Sequence, residues 1–103
     1  MTKEFKDMKG VIAIATTPFN NENLIDFESV DRLSNYYIES KVSGVTILGV
    51  MGEAHKLNIE EQKTLIKRYV NNLINSVPVI VGVSNAGLDN LELLAKFSMD
   101  TGA

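Results

Sequence analysis

The chain alternates short apolar runs with longer stretches in which apolar residues recur at helical spacing. Val11-Ile12-Ala13-Ile14-Ala15 is a continuous apolar run closed by Thr16-Thr17-Pro18, the pattern of a strand buried on both faces. Gly44-Val45-Thr46-Ile47-Leu48 and Val77-Pro78-Val79-Ile80-Val81-Gly82-Val83 repeat it, and Pro78 suits the first residues of a strand better than its middle. Between these runs, Phe27, Val30, Leu33 and Tyr37 recur every three or four residues. They predict a helix capped by Asp26 and stopped at Val42-Ser43-Gly44. Asn58-Ile59-Glu60-Glu61 predicts the start of a second helix. The Asn58 amide oxygen can accept from orphan backbone N–H groups, Glu61 can reach back, and both glutamates sit at the positive end of the helix dipole. Leu65, Ile66, Tyr69 and Leu73 form its apolar stripe. A third helix is expected from about Asp89 to Asp100, with Leu91, Leu94, Ala95 and Ser98 on one face. Asp89 and Glu92 would form a second capping box, and Gly102 the stop.

The resulting order is β-α-β-α-β-α, with strand starts at Val11, Gly44 and Pro78 spaced by 33 and 34 residues. This is the period of βα units joined by crossovers, so the sheet should be parallel and the fold class α/β. Eight such units need about 265 residues, close to the roughly 250 typical of a (β/α)8 TIM barrel. The chain of 103 residues holds three. A compact open sheet of the flavodoxin type shares the period but normally carries about five strands. The favoured reading is therefore an incomplete barrel, residues 1–103 forming β1α1β2α2β3α3 of a single TIM-barrel domain. Its two long edges of unpaired backbone make a stable monomer of this length unexpected.

Composition narrows the chemistry. With 45% hydrophobic and 22% charged residues the chain is an ordinary globular domain. Ten Lys+Arg against thirteen Asp+Glu give a net charge of −3 without a basic stripe, so neither nucleic acid nor an anionic membrane is an expected partner. The absence of cysteine excludes a thiolate nucleophile, a disulfide framework and a cysteine-ligated metal. The single histidine, His55, is too few for a multi-histidine metal site, and no metal is expected; no sequence motif calls for another cofactor, and none is expected. Met1 to Gly10 lacks a continuous apolar leader segment, and no run approaches the roughly 18 residues of a membrane span. The expected compartment is the cytoplasm.

In parallel α/β folds the site lies beyond the C-terminal ends of the strands, which makes the three βα loops the places to look. The first, Thr16 to Asn23, offers two hydroxyls; taken alone it reads as a solvated turn closed by Pro18. The second, Gly49-Val50-Met51-Gly52-Glu53-Ala54-His55-Lys56-Leu57, places two glycines three apart directly after a strand. Its backbone N–H groups could approach a carboxylate or phosphate closely, or one glycine could serve a turn that requires positive φ. It is neither a dinucleotide fingerprint nor a Walker loop. His55 and Lys56 suggest a base and a Schiff-base amine, but they lie several residues past the strand, where side chains face solvent. A Schiff-base lysine is normally desolvated on a strand. The third loop, Ser84-Asn85-Ala86-Gly87-Leu88, reads best as a turn leading into a helix.

Taken together, Thr17-Pro18-Phe19, Gly49-Val50-Met51-Gly52-Glu53 followed by Leu57 and Glu61, and Pro78-Val79-Ile80-Val81-Gly82-Val83 resemble the first three βα units of the dihydrodipicolinate synthase/N-acetylneuraminate lyase family. The resemblance runs from Gly10 to Ala103. It implies a class I aldolase-type lyase or synthase acting on pyruvate or a related 2-keto acid. The full-length enzyme would be a homo-oligomer, tetramer or dimer, whose Schiff-base lysine lies on the sixth strand. No catalytic residue would then fall within this chain, which alone would be inactive.

Residue by residue, the resemblance assigns substrate binding to Gly49, Val50, Met51 and Gly52. Val50 and Met51 stand where the family has a Thr/Ser-Thr pair holding the keto acid's carboxylate. Val50 cannot supply the hydroxyl that joins the family's proton relay, though the backbone amides remain. Thr16 and Thr17 lie near the pocket floor by the same analogy and could compensate. Positions that bind the feedback inhibitor lysine in some relatives hold Ile59, Gln62, Asn85 and Ala86 here, a poor match, so lysine inhibition is not expected. Two alternatives stay open: a non-catalytic keto-acid-binding member of the family, and a fragment without independent function.

Overall fold

A computed structural model describes residues 9–85 and 87–103. Three parallel strands, β1 (Ile12–Ile14), β2 (Gly44–Ile47) and β3 (Val79–Val81), form one sheet in the order β1-β2-β3. Each is followed by a helix: α1 (Phe27–Glu39), α2 (Ile59–Leu73) and α3 (Leu88–Thr101). The strands are shorter than the apolar runs, but pairing continues beyond them. Ser43 N–H donates to the Val11 carbonyl (2.7 Å), Ala15 N–H to Thr46 (2.8 Å), Val45 N–H to Pro78 (3.1 Å) and Gly82 N–H to Ile47 (2.9 Å).

The register aligns Ala13 with Val45 and Val79, and Ile14 with Thr46 and Ile80. Because side chains alternate across a strand, Ala13, Val45, Ile47, Val79 and Val81 share one face. They belong to a core completed by Val30, Leu65, Ile66, Tyr69, Leu73 and Leu94 from the helices. The other face carries Ile12, Ile14, Thr46 and Ile80. Ile12 and Ile14 are 40% and 50% exposed, so within these three units β1 is covered on one face only. Among the described residues, the helices cover one side of this sheet.

Helix ends follow local chemistry where it is strong. Asp26 caps α1 by accepting from Ser29 N–H (3.2 Å). Asn58 and Glu61 form the reciprocal capping box at 2.8 and 2.9 Å. Gly102 ends α3 at φ 123°, its N–H donating to the Ser98 and Met99 carbonyls. Two expectations are corrected. Helix α1 stops at Glu39, before Val42, because Lys41 takes a left-handed φ of 57° and donates to Ile38 (3.1 Å). Helix α3 begins at Leu88 behind Gly87, which places Asp89 inside the first turn instead of at the cap, so the Asp89/Glu92 box does not form.

Helices α1 and α2 are joined by a polar cluster. Arg68 donates from Nε and Nη2 to the two Asp31 oxygens at 2.8 and 2.7 Å, and Asn72 adds a bond to Asp31 at 2.8 Å. These partners hold the Asp31 carboxyl well below its ordinary 3.8, at about 2, the Arg68 hydrogen bonds contributing most. A depressed carboxyl stabilises the fold above its unfolded-state value and ceases to do so as pH falls through its folded value. Stability is therefore expected to drop between about pH 4 and pH 2. Asp31→Asn should be less stable at neutral pH and flatter across that window, as read from urea midpoints at stepped pH.

Candidate functional site

The C-terminal ends of β1 and β2 bring the first two loops together. In the first, Ala15 is buried and Thr16 exposed; Thr17 is only 4% exposed. Thr17 Oγ1 donates to the Gly52 carbonyl at 2.6 Å, tying this loop to the second across 35 residues of sequence. Thr16 contributes its backbone: its carbonyl accepts from the Tyr69 hydroxyl at 2.9 Å, fastening the loop to α2. Burial first, and the neighbouring Tyr37 second, push the Tyr69 phenol up, so it remains a protonated donor and not a base. Beyond Pro18 the chain makes a small antiparallel excursion. Phe19 pairs with Ile25, Asp26 N–H donates to the Pro18 carbonyl (2.9 Å), and the Asn20 side chain accepts from Glu22 and Leu24 N–H. The solvated-turn reading thus fails at Thr17, which is enclosed.

The second loop turns without help from glycine φ. Leu48 leaves the strand at φ 57° and Glu53 closes the turn at φ 55°, whereas neither Gly49 nor Gly52 has positive φ. Of the two readings of this glycine pair, the positive-φ turn is the one the backbone does not adopt: the left-handed positions are occupied by a leucine and a glutamate. Such backbone is unfavourable for residues bearing a Cβ and persists only where surrounding contacts over-determine it. Gly52 is required for close approach. A Cβ there would sit 3.1 Å from Leu48 N, 3.2 Å from its Cα and 3.3 Å from the Ala15 carbonyl oxygen. Gly82 is tighter, since its Cβ would overlap the Leu48 carbonyl oxygen.

Within this turn Gly52 N–H donates to Gly49 (3.1 Å) and Glu53 N–H to Val50 (3.0 Å). The N–H groups of Val50 and Met51 make no hydrogen bond among the described residues. Their side chains are 89% and 59% exposed. Two adjacent amides without a partner among the described residues are donors that an anionic oxygen can use. His55 and Lys56 lie farther on, in a 3-10 turn (Ala54–Lys56), and both are exposed. Lys56 pairs with Glu53 at 2.5 Å. They are not drawn toward Thr17 or the amide tip by any hydrogen bond among the described residues.

A family model described as the dihydrodipicolinate synthetase family matches residues 7–103. The chain belongs to this family. The 4-hydroxy-tetrahydrodipicolinate synthase of Methanocaldococcus jannaschii is 35% identical over 95 residues, covering 92% of this chain and 32% of the relative. The crystal structure of dihydrodipicolinate synthase from Rhodopseudomonas palustris matches with a TM-score of 0.93 at 42% identity, covering 100% of this chain and 34% of that one. The chloride-inhibited dihydrodipicolinate synthase from Acinetobacter baumannii, in complex with pyruvate, matches at 0.87 with 27% identity, covering 93% and 33%. This dihydrodipicolinate synthetase family chain thus spans about a third of the length of the relatives it matches. The open sheet is accordingly three βα units of a TIM barrel, as the strand period implied.

Against the positions singled out in the sequence, the family member's structure places Thr16, Thr17 and Gly49 to Gly52 at one end of the sheet. The Thr17 hydroxyl is already engaged as a donor. Of the four inhibitor-site positions, Gln62 is buried and donates to Leu57 (3.0 Å) and Ala54 (3.2 Å), with Asn85 beside it at 3.4 Å; Ala86 lies outside the described residues. Tyr69 and Gly82 were not singled out for the site. Both carried a signal: a tyrosine in an apolar stripe must find a partner for its hydroxyl, and a glycine inside a strand run marks close backbone approach. Among the described residues no helix is long and apolar enough to cross a membrane.

Proposed function

We propose that this chain is the opening third of a class I lyase or synthase that acts on pyruvate or a related 2-keto acid, and that it supplies the carboxylate subsite. The observation carrying this reading is that the amides of Val50 and Met51, at the tip of the second loop, make no hydrogen bond among the described residues. A carboxylate there would accept two N–H bonds, each strengthened by its charge. Covalent chemistry then falls to a lysine on a strand beyond this chain, where the family places it. Its amine condenses with the ketone, releasing water and forming an imine. Residues 1–103 alone bind without turning over. By the same resemblance the full-length protein is a cytoplasmic homo-oligomer, dimer or tetramer.

Val50 favours one second reading. It puts an isopropyl group where relatives carry a proton-relaying hydroxyl, which suits a member that binds a keto acid without converting it. Intact mass spectrometry of the full-length gene product after incubation with pyruvate and borohydride separates the two. Hydride adds to the imine and leaves a stable secondary amine. The expected result is full-length protein carrying one reduced pyruvyl group per subunit. Saturable pyruvate binding without that adduct supports the binding protein, and neither binding nor adduct overturns both.

A further inference from the structure

The first loop holds a group that the carboxylate reading does not use, the buried hydroxyl of Thr17. It is joined to the second loop by a particular path. In a trans peptide unit the C=O and the following N–H point in opposite directions, so fixing one aims the other. Thr17 Oγ1 donates to the Gly52 carbonyl (2.6 Å). The N–H of that same peptide unit, carried by Glu53, donates to the Val50 carbonyl (3.0 Å). The N–H of the next unit in line, carried by Met51, makes no hydrogen bond among the described residues. Thr17 therefore stands at the inner end of a chain of hydrogen-bonded peptide dipoles whose outer end is the Met51 amide. Such chains polarise their members, so the terminal N–H becomes a stronger donor as well as a fixed one. The Val50 amide belongs to a separate link, in which the Gly49 carbonyl is held by Gly52 N–H (3.1 Å).

We infer that Thr17 is a positioning residue for the anion subsite, orienting and polarising the Met51 amide through Gly52, Glu53 and Val50. The inference rests on the carboxylate reading proposed above and adds which residue sets its strength. Thr17 does not touch the ligand. With that hydroxyl removed, the Gly52 carbonyl is left buried without its donor, the peptide unit between Gly52 and Glu53 is held at its N–H end alone, and the Met51 amide is aimed less firmly and polarised less.

The test uses the full-length protein, with Thr17→Val as a near-isosteric variant lacking the hydroxyl and Thr17→Ser as the variant that keeps it. Pyruvate is titrated while the backbone amide resonances of Val50 and Met51 are followed, and Tm is measured in parallel. Wild-type protein should shift both resonances on binding. T17V should bind about tenfold more weakly, the arithmetic of one well-aimed hydrogen bond. It should raise KM with kcat kept, and should alter the Met51 resonance of the free protein more than that of Val50. T17S should rescue all three. A folded T17V that binds pyruvate as wild type does overturns the inference while leaving the carboxylate reading intact. If T17V does not fold, weakened binding by T17S at unchanged Tm overturns it equally. Wild-type protein that binds pyruvate without moving either amide overturns the carboxylate reading and this inference with it.

Discussion

Gly82→Ala should destabilise the full-length protein by about 3 kcal/mol, at the upper end of what overpacking usually costs. The reason is position and not conformational freedom. Gly82 N–H is tied to the Ile47 carbonyl (2.9 Å), so the residue cannot back away without breaking the sheet pairing that continues past β3. The added Cβ would land on the carbonyl oxygen of Leu48, with the Leu48 carbonyl carbon 3.0 Å away. Leu48 cannot yield freely, because it already sits at φ 57° with its side chain buried. The strain should therefore pass into the second loop and displace the Val50–Met51 tip, weakening pyruvate binding as well as stability. Gly49→Ala is the control. Its Cβ would meet Ile14 Cγ2 at 3.7 Å and Thr46 Cγ2 at 4.0 Å, ordinary contacts, and its cost should stay within about 0.5 kcal/mol. Urea midpoints of the two variants read the contrast, and equal midpoints would count against a tight Gly82–Leu48 approach.

Gly82 also illustrates which features of this fold can be read without coordinates. Features decided within one turn of chain were legible. Asn58 and Glu61 lie three residues apart, and their reciprocal cap forms as the spacing implied. The stripe of Leu65, Ile66, Tyr69 and Leu73 is fully buried. The Asp89/Glu92 box failed for an equally local reason, since the helix began two residues earlier than a cap at Asp89 required. Features that depend on distant chain were not legible. Nothing near Leu48 or Glu53 announces left-handed backbone, and the turn they bracket packs Gly52 against Ala15, a residue distant in sequence. The Thr17–Gly52 and Tyr69–Thr16 bonds span 35 and 53 residues. The second loop could be located by its glycines and by family resemblance, but its free amides follow from the carbonyl partners of its neighbours, a matter of three-dimensional closure.

Ile14→Asp should act with opposite sign in two contexts, and the contrast tests what the open face of the sheet is for. In residues 1–103 alone, Ile14 is half exposed beside Ile12, on the face away from the three helices. A carboxylate there would remain hydrated, cost little stability and interrupt an apolar patch that promotes self-association. In the full-length protein the same position would face the barrel interior, because the dihydrodipicolinate synthase that matches this chain at a TM-score of 0.93 continues for about twice its length again. An unpaired carboxylate enclosed by the remaining strands would cost several kcal/mol and prevent stable folding. Sedimentation of the isolated segment and thermal unfolding of the full-length protein supply the two readings. Less self-association in the first and collapse of Tm in the second identify the Ile12, Ile14, Thr46 and Ile80 face as the inner wall of a closed barrel. A full-length I14D protein as stable as its parent would mean that this face stays open to water, and that the three units are completed in some other way.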